Sequence, residues 1–162
     1  MEFGTIGIGL IVIILCAWPV AMLMRSRTKR KNEILNALKT LADSHALHIA
    51  QQDVWNNTAI GIDNKKKHLL FVRMQNDHAL TSVVDLNNIQ QCNVNKSITS
   101  FGEGADRYSV IEQLALVLQP IDKSKALMVL PCYDANEDSA SLTGQLQLVD
   151  KWRAILQQQL TK

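Results

Sequence analysis

The sequence predicts an α+β protein: a membrane-spanning helix, a stalk helix, an antiparallel β domain and a terminal helix. Three observations predict this order. An uncharged run of twenty residues lies near the N-terminus, the periodicity changes from helical to alternating at Ala46, and helical periodicity returns after residue 139. The predicted organisation is a transmembrane helix over 5–24, a basic juxtamembrane and stalk segment over 25–45, and a cytoplasmic domain over 46–162.

Residues 5–24 form the predicted membrane anchor. Twenty helical residues span about 30 Å, which is the thickness of a bilayer's hydrocarbon core. The run contains no Asp, Glu, Lys or Arg. A cleaved signal peptide is the rival interpretation, but it needs a basic segment followed by a shorter apolar run. Only Glu2 is charged before this run, so we expect an uncleaved, single-pass anchor.

A cluster of cations follows the anchor. Its members are Arg25, Arg27, Lys29, Arg30 and Lys31. Because positive charge stays on the cytoplasmic side, the cluster predicts a membrane protein with its N-terminus outside and its C-terminal domain in the cytoplasm. The same five residues are candidate contacts for anionic lipid headgroups, at about 1 kcal/mol for each cation.

The charge of the remaining chain argues against a nucleic-acid partner. The whole protein has a net charge of +2, but from Ala46 onward eleven Lys and Arg face twelve Asp and Glu. A nucleic-acid domain would need a basic face of its own. Cys16, Cys92 and Cys132 are too far apart for metal-ligand spacing, so we expect reduced thiols packed as small apolar residues.

Residues 28–44 predict an amphipathic stalk helix. Its apolar stripe recurs at helical spacing and consists of Ile34, Leu35, Leu38, Leu41 and Ala42. We expect this stripe to bury against the following domain. A second copy of the stalk is the alternative, and small residues four apart in the anchor (Thr5 and Gly9, Ala17 and Ala21) would also permit a homo-oligomer.

Seven short strands are predicted after the stalk, separated by polar turns. They are Ala46–Asp53, Thr58–Ile62, His68–Gln75, Ala79–Leu86, Ile89–Asn95, Tyr108–Gln119 and Ala126–Tyr133. Lys96–Arg107 is predicted to be one long loop. Its Gly102 and Gly104 do not form a nucleotide-binding motif, because the third glycine is missing and a strand follows. Pro131 predicts that the last strand is an edge strand or contains a bulge.

A terminal amphipathic helix follows, with Asp138 or Ser139 as its predicted N-cap. Its stripe consists of Leu142, Leu146, Val149, Trp152, Leu156 and Leu160. Seven antiparallel strands followed by such a helix resemble the pleckstrin-homology-like superfold. In that superfold two nearly orthogonal sheets form a partly open barrel or sandwich, and the helix plugs one end. A Trp in that helix marks the superfold, and Trp152 matches it, so we expect Trp152 to pack on the open end.

Three segments also resemble a family of uncharacterised single-pass membrane proteins of the Bacteroidetes. They are DVWNNTAIGID, VVDLNNIQQCNV and LTGQLQLVDKW. The resemblance covers most of the chain but implies no activity. Some members of the larger superfold bind phosphoinositide headgroups through a basic motif between their first two strands. Here Lys65, Lys66 and Lys67 lie between the second and third predicted strands, one strand connection later than the basic motif of the superfold.

The remaining chemical candidates indicate no reaction. The three lysines are interpreted as a solvated turn, with an anion or lipid site as the alternative. Asp134, Glu137 and Asp138 are interpreted as a capping and solubility cluster. Trp55 is expected to anchor a strand end on the stalk helix. Four scattered histidines complete no metal site, and no serine or cysteine stands in a nucleophile motif, so we expect no metal, no cofactor and no enzyme.

These observations predict a membrane-anchored, non-enzymatic binding or scaffold module that recruits a cytoplasmic protein or peptide to the inner membrane. We expect the peptide site in the groove between the terminal helix and the strand next to it. The alternative is a domain that senses anionic lipid headgroups through Lys65–Lys67.

Overall fold

The computed structural model describes residues 28–75, 78–101, 108–138 and 142–160. The predicted transmembrane helix over 5–24 and the cations Arg25 and Arg27 lie outside these residues. Within the described residues, none of the helices combines the length and the apolar character needed to cross a bilayer.

The first helix, α1, occupies residues 28–44. Ile34, Leu38 and Ala42 on its apolar stripe are buried, while Leu35 and Leu41 are half-buried. The buried residues pack against an apolar cluster on the first β-sheet. The apolar stripe is therefore buried against the following domain, as its spacing predicts. Little apolar surface of α1 remains accessible to a second copy of the stalk.

Seven antiparallel strands form two sheets. The first sheet has the order β1 (Gln51–Trp55), β2 (Thr58–Asp63), β3 (His68–Gln75) and β4 (His78–Asp85). A single 3-10 turn, Leu86–Asn88, leads to the second sheet, with the order β5 (Ile89–Phe101), β6 (Tyr108–Pro120) and β7 (Met128–Asp134). The second helix, α2 (Thr143–Leu160), follows.

Both faces of the first sheet are covered. Ala59, Leu70 and Val72 face α1 and belong to its cluster. Their neighbours along the strands, such as Ile60 and Phe71, face the opposite way and enter the main core. This double coverage explains why every residue of β2 is buried and why β3 is apolar on both of its faces.

The main core lies between the two sheets and α2. Its central side chain is Trp152, which is completely buried. The Trp152 indole Nε1 donates a hydrogen bond to Oδ2 of Asp53 at 2.8 Å, and the Lys151 Nζ lies 2.7 Å from the same oxygen. The buried position that the helical stripe predicts for Trp152 is confirmed, and Asp53 ties α2 to β1.

The two predicted antiparallel sheets are confirmed, whereas three predicted boundaries need correction. The hydrogen-bonded ladders of the described strands form two separate sheets and no closed barrel. Lys96–Phe101 is strand rather than loop, because β5 stays paired with β6 as far as Phe101 and Tyr108. The first strand begins at Gln51, not Ala46, because α1 ends in a turn in which Ala46 has a positive φ of 50°.

The start of α2 also differs from the prediction. The helix begins at Thr143, and the Leu142 carbonyl accepts the first backbone hydrogen bonds, from Gln145 and Leu146. Asp138 therefore does not cap it. By contrast, the expectation for Pro131 is confirmed: β7 is the edge of its sheet, and Cys132 is an extra residue between the pairs formed by Pro131 and Tyr133.

Replacing Trp152 tests the core. Trp152→Ala should reduce the free energy of unfolding by about 3–5 kcal/mol, because it leaves a large cavity between the sheets and deletes the bond to Asp53. Trp152→Phe keeps most of the packing and should cost clearly less. Chemical denaturation of the full chain measures both values. Equal stability of Trp152→Ala and the parent would mean that the indole does not support the core.

Candidate functional site

The outer edge of β5, next to α2, pairs with no other described strand. β5 lies at the edge of its sheet, has thirteen residues and contains one charged side chain, Lys96. Edge strands present unpaired N–H and C=O groups, and proteins usually protect them with charges, prolines or short length. β5 is long and amide-rich, so it lacks most of this protection.

α2 packs against β5. Lys151 points to the β1 side, where it pairs with Asp53. Arg153 follows two residues later, within electrostatic range of Cys92 of β5: burial raises the pKa of the Cys92 thiol to about 11, and the Arg153 guanidinium partly opposes this rise. Asp150 is one helical turn from Arg153 and is half-buried. α2 therefore presents a charged flank to the β5 edge.

We define the β5 groove by Val94 and Lys96 of β5 and by Asp150 and Arg153 of α2. Val94 is half-buried against the main core, whereas Lys96 and Arg153 are exposed. Two cations and one carboxylate give these four residues a net charge of +1. The groove thus combines a free strand edge, an apolar floor and a basic rim, which are the features that extended peptides use.

The opposite edge of the same sheet is less suited to pairing. Pro131 removes a backbone donor from β7, and the bulge at Cys132 interrupts its regular spacing. The Cys132 carbonyl already accepts a hydrogen bond from the Trp55 indole Nε1 at 3.0 Å. The expected packing of Trp55 on the stalk helix is wrong, because its ring lies in the main core with Trp152.

The predicted lysine site does not form one cradle. Lys65 is exposed, the Lys66 Nζ donates to the Ala46 carbonyl, and the Lys67 Nζ lies 3.5 Å from the Gln159 carbonyl near the end of α2. The ammonium groups of Lys66 and Lys67 therefore contact two different helix ends, the residue just after α1 and the last turn of α2. This arrangement favours the interpretation of Lys65–Lys67 as a structural turn over an anion site.

Asp63 holds the lysine turn in place. Its carboxylate accepts the backbone N–H groups of His48 and Lys65 at 2.8 Å and of Lys66 at 3.0 Å. These bonds, led by that from His48, keep the pKa of Asp63 below its usual value. One buried carboxylate thus fixes both the lysine turn and the connection from α1 to β1.

The two groups of candidate cations lie at opposite ends of α1. Lys29, Arg30 and Lys31 are exposed at the start of the described helix. Lys66 contacts Ala46, just beyond the last helical turn. Thirteen helical residues, 32–44, separate the groups by about 20 Å, more than two Debye lengths at physiological salt. The lysine turn and the juxtamembrane cations therefore do not form one basic surface.

No protein-family model, curated protein or solved structure matches this chain. Within the part of the chain that the structure describes, no three His, Cys, Asp or Glu side chains gather as a metal site. The β5 groove is therefore defined by its own strand edge, helix flank and charges.

A buried ionic cluster escaped the sequence analysis. Arg73 of β3 is buried, lies 3.1 Å from both Asp138 Oδ2 and Glu137 Oε2, and donates to the Thr58 hydroxyl at 3.2 Å. Glu137 and Asp138 are thus counter-ions rather than a solubility cluster. The sequence does contain one sign of this cluster: Arg73 is a single charged residue within an apolar strand, and a buried charge requires partners. Locating those partners required the tertiary structure.

Protonation of Asp63 should destabilise the fold. Because its pKa is lowered in the folded state, its contribution is complete above the usual carboxyl range and is lost as the pH falls through about 5 to below 4. Asp63→Asn should lose roughly 1–3 kcal/mol at neutral pH, through weakened hydrogen bonds to a charged acceptor, and show a flatter stability profile in this window. Denaturation curves at several pH values measure both effects, with Asp43→Asn as an exposed control.

Proposed function

We propose that the protein is a membrane-anchored, non-enzymatic binding module that captures an extended segment of a cytoplasmic protein and holds it at the inner membrane. The observation that carries this proposal is the weakly protected β5 edge, with Lys96 on the strand and Arg153 on the charged flank of α2 beside it. The partner's backbone would pair with β5, and its side chains would alternate between the groove and solvent.

The charge of the β5 groove favours an acidic segment. Arg153 and Lys96 outnumber the half-buried Asp150, so a carboxylate on the partner would gain a cation without displacing a buried ion pair. Charge of this kind contributes mainly to specificity and to the rate of encounter, while the strand pairing supplies orientation. The expected ligand is therefore an extended, acidic peptide segment.

The anchor and the fold resemblance support this placement. The uncharged run over 5–24 is long enough to span a bilayer, and the cations after it favour a cytoplasmic domain. The order of a four-stranded sheet, a three-stranded sheet and a terminal helix with a buried Trp152 is the order that the pleckstrin-homology-like superfold implies. We therefore include a pleckstrin-homology-like fold and a single-pass inner-membrane location in the proposal.

Lipid recognition by Lys65–Lys67 ranks second. The lysines diverge, two of them contact main-chain carbonyls, and they lie about 25 Å from the start of α1. Lys29, Arg30 and Lys31 are better placed for headgroups, since they follow the predicted anchor directly. These cations would assist anchoring and orientation rather than define a ligand.

Photo-crosslinking tests the β5 groove. A benzophenone amino acid replaces Lys96 in the full chain, which removes one cation of the rim but leaves Arg153. In the native cells we expect a discrete crosslinked partner from this position. Arg153→Glu should reduce this product about tenfold, which corresponds to about 1.4 kcal/mol of binding. Gln158→Glu, which introduces the same carboxylate on the other flank of α2, serves as the control and should leave the yield unchanged.

Two results would contradict the groove. One is equal crosslinking from positions 96 and 158, which would indicate contact without a defined site. The other is equal loss of product in Arg153→Glu and Gln158→Glu, which would indicate a general effect of charge. Thermal melting of each variant confirms that the fold is intact, because both positions are exposed.

Neutralising the lysine turn separates the two candidate functions. Changing Lys65, Lys66 and Lys67 together to Gln should leave crosslinking from position 96 within about twofold of the parent, because the turn lies outside the β5 groove. The measurement is the same crosslinking assay, with the melting temperature as a control for the lost contacts to Ala46 and Gln159. Loss of capture in a folded triple variant would assign recognition to the lysine turn instead.

A further inference from the structure

The hairpin of β5 and β6 extends beyond the third strand of its sheet. β7 pairs with β6 only from Leu118 to Gln113, whereas β5 and β6 stay paired as far as Phe101 and Tyr108. We call the two-stranded extension, residues 97–101 and 108–112, the β5–β6 arm. Two-stranded ribbons are marginally stable in water by themselves, so a surface that supports this one would stabilise it.

The β5–β6 arm exposes apolar and aromatic side chains. Ile98 is 56% exposed, Tyr108 60% and Val110 39%. Glu112, at the base of the arm, is the one charged residue among 97–101 and 108–112. Val110 pairs with Thr99 and Tyr108 with Phe101, so Tyr108 and Val110 share one face of the arm and Ile98 lies on the other. Exposed apolar side chains on both faces of a ribbon mark a contact surface. Tyr and aliphatic residues together with hydroxyl groups suit the interface between water and lipid.

The start of α1 lies at an identifiable end of the first sheet. The end of α1 is near the lysine turn, where Lys66 contacts Ala46. Leu38, two turns earlier, packs over Gly61, since a Cβ on that glycine would stand 3.3 Å from the Leu38 side chain. Ile34 lies one turn earlier still, in the cluster that also includes Met74. α1 therefore runs from the Met74 end of the sheet to the lysine turn.

The base of the β5–β6 arm lies at this same end. Gln75, next to Met74, donates to Glu137 on the connection after β7. On that same connection, the Ala135 N–H donates to the Glu112 carbonyl at 2.8 Å. These contacts link the end of β3 to the base of the arm. The arm and the start of α1 thus leave the domain at one end.

We propose that the β5–β6 arm contacts the lipid bilayer and fixes the orientation of the domain on it. This inference rests on the proposed membrane anchor. Thr28 is four positions after Met24, the end of the apolar run, so α1 begins within about 15 Å of the membrane boundary. Ile98 on one face of the arm and Tyr108 and Val110 on the other would enter the interfacial region, while Lys29–Lys31 meet the headgroups at the start of α1.

Fluorescent probes at matched positions test the contact. Ile98→Cys and Leu127→Cys, each in a Cys16→Ser background, are labelled with an environment-sensitive fluorophore in the full chain. The two side chains are 56% and 57% exposed, but Leu127 follows the far end of β6. Cys92 and Cys132 are buried, so they stay unlabelled in the folded protein.

The readout is quenching by brominated phosphatidylcholine in nanodiscs that contain one copy of the chain. We expect at least twofold quenching and a shift of emission to shorter wavelength at position 98, and neither at position 127. Equal signals at the two positions would overturn the proposal. A signal at position 98 that appears only with two copies per disc would also overturn it, because it would indicate a contact between copies.

Carbonate extraction separates this proposal from the anchor. A chain that resists alkaline carbonate but shows no quenching at position 98 keeps its anchor, and only the arm contact fails. A chain released by carbonate lacks the anchor, which overturns both proposals. Loss of crosslinking from position 96 with normal quenching at position 98 leaves the arm contact standing and removes the β5 groove.

Discussion

The packing of α1 on the first sheet is the constraint on which the other features depend. Leu38 packs closely on Gly61, where a Cβ would stand only 3.3 Å from its side chain, so helix and sheet form one body. An anchored α1 would therefore transmit its position to every strand. Without this contact, the β5 groove and the β5–β6 arm would have no fixed direction relative to a membrane.

Two polar clusters complete this body, each where segments distant in the chain meet. Arg73 joins β3 to the connection between β7 and α2 through Glu137 and Asp138, and the half-buried Asp53 joins β1 to α2 through Trp152 and the exposed Lys151. The buried pair of Arg73 and Asp138 contributes little net stability, because desolvation offsets the attraction. Another arrangement of these segments would leave the Arg73 charge buried without a partner.

The two edges of the second sheet differ in a way that assigns them different roles. β7 is irregular at Pro131 and Cys132 and already occupied by Trp55, whereas β5 keeps a long free edge beside the flank of α2. The same strand continues into the β5–β6 arm. A ligand in the β5 groove and a bilayer at the arm would therefore contact two parts of one strand, which places the captured segment close to the membrane surface.

The sequence by itself determined the strand and helix order, the apolar stripe of α1, the buried face of α2 and the edge position of the last strand, because periodicity and proline chemistry are local. Only the tertiary structure decided what those faces meet. Trp55 entered the main core rather than the α1 interface, Arg73 found its counter-ions more than sixty residues away, and Lys96–Phe101 became strand by pairing with β6. Such pairings depend on distant chain segments, and no local pattern specifies them.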